Sequence, residues 1–223
     1  MVEASELLRS EIIEEIRAAG PMPFARFMDL CLYHPRHGYY TRGIGGGGGR
    51  DYLTSSGTHR LYGELMARQA EEMWRRADRP ARFTFVEFGP GEGLFAADFL
   101  GAASRLGEFG RSLEYLLVET SPALRERQRH RLREAPGGVP IEWLDEAALQ
   151  ARAGTLDGCL FANEVLDAFP VHRLVGTSAG PKEVHVGLRG ADLGEEVLPV
   201  SDGGLTRFLE ARGIALEEDQ EID

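Results

Sequence analysis

Apolar residues recur at helical spacing from the start of the chain. Leu7, Leu8, Ile12, Ile13 and Ile16 share one face, which predicts a helix capped by Ser5 and stopped by Gly20-Pro21. Phe24 to Leu32 repeats the spacing and runs into an aromatic turn, Tyr33-His-Pro-Arg-His-Gly-Tyr-Tyr40. A run of five glycines follows Ile44, and its entropy cost makes it either a mobile loop or a segment that orders over a ligand. Leu61, Leu65, Met66, Ala70, Met73 and Trp74 then mark the core face of a helix over His59 to Arg76.

Beyond that helix the rhythm changes. Phe83 to Phe88, Leu113 to Val118, Val139 to Trp143 and Gly158 to Asn163 are short apolar runs that suit buried strands. Helical patterns separate them, one from Leu94 to Leu100 and one opened by Thr120-Ser121-Pro122. Strands alternating with helices predict an α/β fold with a parallel sheet and a ligand at the carboxyl ends. After Val171 the pattern becomes a hairpin or meander, Val171–Val175 and Val184–Val186 around Ser178-Ala-Gly-Pro181, with a last helix from Leu205 to Ala211 stopped by Gly213. These shifts divide the chain into an N-terminal helical and lid region (1–78), an α/β core (79–170) and a meander with a helix (171–223).

The candidate chemistry starts where the first core strand ends, at Glu87-Phe-Gly-Pro-Gly-Glu-Gly93. Alternate glycines let the backbone turn sharply beside a ligand, and the next helix presents its N-terminus to it. The spacing is neither that of the dinucleotide fingerprint nor that of a P-loop. An acid followed by G-x-G-x-G resembles class I methyltransferases, whose ligand is S-adenosylmethionine. Glu119, at the end of the second strand, can accept both hydroxyls of a ribose. An ordinary tight turn and an exposed strand-end acid are the plain readings of each feature alone; together they favour a nucleoside.

Composition narrows the partners. A formal net charge of −11 and a pI of about 5.1 disfavour nucleic acid, and no apolar run is long enough for a membrane span. Cys31 and Cys159 lie far apart, without neighbours at metal-ligand spacing, so neither a disulfide framework nor a metal site is expected. With the acidic start Met1-Val-Glu-Ala-Ser-Glu6, reduced thiols lead to the expectation of a cytoplasmic protein.

At Phe161-Ala-Asn-Glu-Val-Leu-Asp-Ala-Phe-Pro-Val-His172 the chain resembles the MidA-like family of S-adenosylmethionine-dependent methyltransferases, which includes a mitochondrial protein-arginine methyltransferase. The resemblance also rests on His34-Pro-x-x-Gly-Tyr-Tyr40, Asp51-Tyr-x-Thr-Ser55, Leu61-Tyr-Gly-Glu-Leu65, Glu87-Phe-Gly-Pro-Gly-x-Gly93 and Val118-Glu-Thr-Ser-Pro122, in that order. The family shows Pro-Glu where this chain has Ser56-Gly57, so the resemblance does not carry over any contact made by that glutamate. The resemblance implies a class I, Rossmann-like methyltransferase fold with an N-terminal helical extension and an inserted meander. It also implies further strands beyond position 223, so the sheet is expected to be incomplete and its open edge to invite a homodimer.

The cofactor implied is S-adenosyl-L-methionine, held by Glu87, Gly89, Pro90, Gly91, Gly93, Glu119 and Asn163, with Gly38, Tyr39, Thr54 and Ser55 from the N-terminal region. The segment from Tyr33 to Gly57 is expected to cover it. The implied acceptor is an arginine side chain of a protein, with Glu164 gripping the guanidinium and Asp167 as its partner in catalysis. Two other functions stay open: a catalytically idle module that binds the cofactor as an assembly factor, and a small-molecule methyltransferase.

Overall fold

The computed structural model describes residues 2–41, 59–133 and 138–223. They fall into two compact units: one combines the residues up to Thr41 with Ala168–Asp223, and the other comprises those between, through Asp167. The boundaries read from sequence at 78 and 170 differ from this grouping, because the first helices share a core with the meander instead of standing as a region of their own. Among the described residues no helix is long and apolar enough to cross a membrane.

The chain opens with α1 (Val2–Ala19), β1 (Met22–Pro23) and α2 (Phe24–Tyr33). Ser5 lies inside α1 and does not cap it, since the helix already runs from Val2 through the good helix formers Glu3 and Ala4.

The second unit contains α3 (Leu61–Arg76), β2 (Phe83–Phe88), α4 (Leu94–Ala103), α5 (Glu108–Ser112), β3 (Leu113–Val118), α6 (Pro122–Leu132), β4 (Ile141–Leu144), α7 (Glu146–Ala151) and β5 (Gly158–Ala162). Its strands are parallel in the order β4-β3-β2-β5, the Rossmann-like core that the alternation predicts. Both faces of β2 and β3 are covered, which is why these strands read as continuous apolar runs. Phe83, Phe85, Leu113, Tyr115 and Leu117 pack on one side with α3 and α4, while Val86, Leu116 and Val118 pack on the other with Leu144 and the apolar side chains of α7. The larger core is aromatic: the Phe85 ring lies 4.3 Å from Phe99, and Phe95 stacks on Phe161 at 4.6 Å. β5 forms one edge of this sheet, and Leu160 on it is 60% exposed.

α3 buries a different face from the one its large residues suggest. Gly63, Ala67, Ala70 and Trp74 are buried, whereas Leu61, Leu65 and Met73 are exposed. Close approach to α4 selects the small residues: a Cβ on Gly63 would stand 2.7 Å from Asp98 Cβ.

A 3-10 turn (Leu166–Ala168) leads out of this unit into β6 (Leu174–Thr177), β7 (Gly180–Arg189), β8 (Asp192–Leu198), α8 (Gly203–Arg212) and β9 (Glu221–Ile222). All four strands and β1 belong to one antiparallel sheet centred on β7. Leu8, Ile12 and Ile16 of α1 and Leu30 of α2 pack on Val186 of β7. Glu183 on the same strand is fully buried: its Oε1 accepts from His172 Nδ1 at 2.6 Å and its Oε2 from the Ser201 amide at 2.6 Å. Burial pushes this carboxyl up, but the bonds from His172 and Ser201 outweigh it and hold Glu183 below the usual glutamate value.

A depressed folded value stabilises the protein above the unfolded one, and that stabilisation is lost as pH falls through the folded value. Glu183→Gln should therefore cost roughly 1.5–3 kcal/mol at neutral pH. Thermal melts from about pH 5 to about pH 3 should fall more steeply for the parent than for the variant. Parallel pH profiles would remove the buried carboxylate from this role.

Candidate functional site

The strand order of the parallel sheet reverses between β2 and β5, and open α/β sheets bind ligands outside the carboxyl ends of the strands at such a point. Phe88 pairs with Ala162, so the glycine turn after β2 and Asn163-Glu164 after β5 leave the sheet side by side. The Gly89 amide donates to Val118 O and the Glu119 amide to Leu144 O, each at 3.1 Å, bringing the ends of β3 and β4 to the same edge.

Gly89, Gly91 and Gly93 have φ of +66°, +53° and +75°, a left-handed backbone that strains any other residue. The amide of Gly93 closes the turn on Pro90 O at 2.9 Å. The space each glycine leaves is used unexpectedly. A Cβ on Gly89 would stand 2.8 Å from Val165 Cγ2, and one on Gly93 3.3 Å from Gln128 Cγ. Gly89 thus admits the loop after β5. Among the described residues no side chain caps the N-terminus of α4, whereas Ser121 caps α6 and Asp145 caps α7.

Two acids flank the turn. Glu87 is 4% exposed on the aromatic face of β2, and the fully buried Tyr115 hydroxyl donates to its Oε2 at 2.7 Å. Burial raises its carboxyl to about 8, against the opposing pull of the Tyr115 bond. Glu119 is 8% exposed; its Oε1 accepts from the Ser121 amide at 2.8 Å and its Oε2 from Gln128 Nε2 at 3.2 Å. Burial also raises Glu119, opposed by those bonds, by the Thr120 amide and by the charge of Arg125.

Beyond β5, the Tyr62 hydroxyl donates to Asn163 Oδ1 at 3.0 Å, which ties the loop to α3. Glu164 is exposed and left-handed, with φ +52°, a strain of about 1–3 kcal/mol of the kind that collects at functional positions. Asp167 is exposed in the 3-10 turn. The structure therefore brings together Glu87, Gly89, Pro90, Gly91, Gly93, Glu119, Asn163 and Glu164 at one end of one sheet. Gly38 and Tyr39 belong to the other unit, where Gly38 follows α2 so closely that a Cβ would stand 2.7 Å from the Tyr33 carbonyl carbon. Thr54, Ser55 and the glycine run lie outside the described residues. Sequence reasoning passed over Tyr62, Tyr115 and Gln128. For Gln128 the signal was present: it interrupts the face that Leu124 and Leu132 share on α6, and all three are buried.

A family described as “Putative S-adenosyl-L-methionine-dependent methyltransferase” matches residues 65–222. The chain belongs to this family. Protein arginine methyltransferase NDUFAF7, mitochondrial, from Danio rerio is 30% identical over 196 residues, covering 78% of this chain and 45% of the relative. Its Bos taurus counterpart is 30% identical over 194 residues, covering 78% and 44%. The chain thus spans about half the length of the curated relatives it matches. A COG1565 superfamily protein from Burkholderia thailandensis, solved with S-adenosyl-homocysteine bound, superposes with a TM-score of 0.74 at 30% identity, covering 93% of this chain and 54% of that one.

Both curated relatives are named mitochondrial, which overturns the cytoplasmic expectation. Unpaired thiols and net acidity suit any reducing compartment and do not separate one from another.

S-adenosyl-L-methionine is the cofactor of the family, and the residues present fit it. The uncapped N-terminus of α4 suits its carboxylate, the buried Glu87 its ammonium, and Glu119 the ribose diol.

A carboxyl raised in the folded state stabilises fully below its unfolded value, and that contribution is lost as pH rises through the folded value. Without ligand, the parent should lose melting temperature between about pH 5 and about pH 8, while Glu87→Gln, neutral throughout, should lose less. Equal slopes in a thermal-shift series would show that Glu87 is ionised across this range.

Proposed function

We propose that this chain is the cofactor-binding part of an S-adenosyl-L-methionine-dependent methyltransferase whose acceptor is an arginine side chain of a protein. The observation that carries the reading is the fit of the loop after β5 onto the glycine turn, with Val165 against Gly89 and Asn163 held by Tyr62, so that Glu164 stands exposed beside the cofactor residues. The protein-arginine acceptor in the names of the curated relatives supports the choice of substrate.

S-adenosyl-L-methionine supplies an electrophilic methyl group on a sulfonium. The chain's own residues supply placement and charge. Glu87 and the α4 N-terminus would hold the amino-acid end and Glu119 the ribose, while Pro90 fixes the turn between the glycines. Glu164 would accept two guanidinium N–H groups in a fork, which leaves the third nitrogen uncovered and offsets the charge that delocalisation keeps on the acceptor. Asp167 receives a further guanidinium N–H, and the proton lost on methylation passes to water.

In the intact protein, Glu164→Gln should bind S-adenosylhomocysteine within about two-fold of the parent while losing about a hundred-fold or more in arginine methylation, the scale of a bidentate charged contact. Turnover retained by the variant, or methyl groups recovered only on lysine or on a small molecule, would reject the acceptor assignment.

A separate check concerns the cofactor alone. Gly91→Val puts a branched residue at φ +53° and should abolish cofactor binding measured by calorimetry, with circular dichroism unchanged. Undiminished binding would reduce the turn to a plain connection.

A further inference from the structure

Gln128 is 0% exposed and makes three hydrogen bonds to three different elements. Its Nε2 donates to Gly91 O at 2.6 Å and to Glu119 Oε2 at 3.2 Å, and its Oε1 accepts from Trp143 Nε1 on β4 at 3.0 Å. An amide has a donor end and an acceptor end, and the wrong end toward Glu119 would set oxygen against carboxylate. The indole settles the direction. Trp143 Nε1 can only donate, so the amide oxygen must face it, and the NH2 must face the acid and the glycine turn.

Neighbouring residues of α6 hold the same turn from outside. Arg131 Nε donates to Glu92 O at 2.9 Å, and Arg127 pairs with the Glu92 carboxylate at 3.0 Å. Arg125 bonds the carbonyls of Glu119 and Leu144 at 2.6 and 2.9 Å. Arg125 and Arg131 fix backbone and Arg127 holds the Glu92 side chain, whereas the amide of Gln128 reaches the Glu119 carboxylate itself.

We propose that Gln128, oriented by Trp143, is the positioning residue that aims the Glu119 carboxylate and locks it in register with the glycine turn, so that ribose recognition depends on a side chain that does not touch the ribose. This rests on the reading of Glu119 as the ribose acid. Bonded to the amide on Oε2 and to the Ser121 amide on Oε1, the carboxylate cannot rotate about its last torsion without breaking one of the two bonds. Its remaining acceptor sites are therefore held in fixed directions, and a fixed acceptor geometry is what recognition of vicinal hydroxyls requires.

The test compares S-adenosylhomocysteine with its 2′-deoxyribose analogue by calorimetry. The parent should prefer the full ribose by about ten-fold or more, the scale of one hydrogen bond to a charged group. Gln128→Leu keeps the volume and removes both donors, and its preference should fall to about two-fold or less. Because lost packing alone lowers stability without changing the ratio of two ligands, the ratio isolates positioning. Trp143→Phe frees the amide to turn and should give an intermediate ratio even if Gln128→Leu fails to fold. A parent with no preference would reject the ribose reading of Glu119. A parent that discriminates, with either folded variant discriminating equally well, would reject the positioning role.

Discussion

Left-handed backbone at three alternate positions between Gly89 and Gly93 is the requirement that the rest of the parallel-sheet unit is built to meet. A turn with so much freedom in the unfolded chain loses much entropy on ordering, so its surroundings must over-determine it. They do so from every side in the chain's own terms: Val118 O takes the first amide, Val165 fills the side of Gly89, and Gln128 and Arg131 hold the carbonyls of Gly91 and Glu92. The turn is thereby shaped by the protein's own contacts, and a preorganised loop is the kind that costs least to bind through.

The same residue type illustrates how environment assigns chemistry. Glu87 and Glu183 are both buried, yet their carboxyls move in opposite directions. Glu183 receives a histidine N–H and a backbone N–H, one on each oxygen, and stays charged; Glu87 receives one phenol hydroxyl and does not recover the loss of water. At Glu87 the Tyr115 bond leaves an acid able to take a cation, whereas at Glu183 a histidine N–H and a backbone N–H close a structural pair.

Much of this architecture was legible in the chain. The strands of the parallel sheet stood out because burial on both faces leaves unbroken apolar runs, and the glycine turn and Glu119 stood out because their chemistry is local to the sequence. The phase of α3 was hidden, since it depends on how near α4 comes at Gly63, a distance that periodicity does not encode. Gln128 was visible as a polar residue on an apolar face, but its meaning lies in three partners from separate elements. The grouping of the first helices with the meander was equally invisible. Helical spacing shows that Ile12 and Ile16 need an apolar partner, but which strand supplies it, far along the chain, is settled only by tertiary packing.

That grouping bears on the order in which the protein can form during synthesis. The parallel-sheet unit is one continuous stretch, so its contacts become available as soon as β5 leaves the ribosome. The meander unit is split: Leu8, Ile12 and Ile16 emerge first, and the strand residue they pack on, Val186, comes only after the whole of the other unit. Throughout that interval the apolar face of α1 is without the strand that covers it in the folded unit.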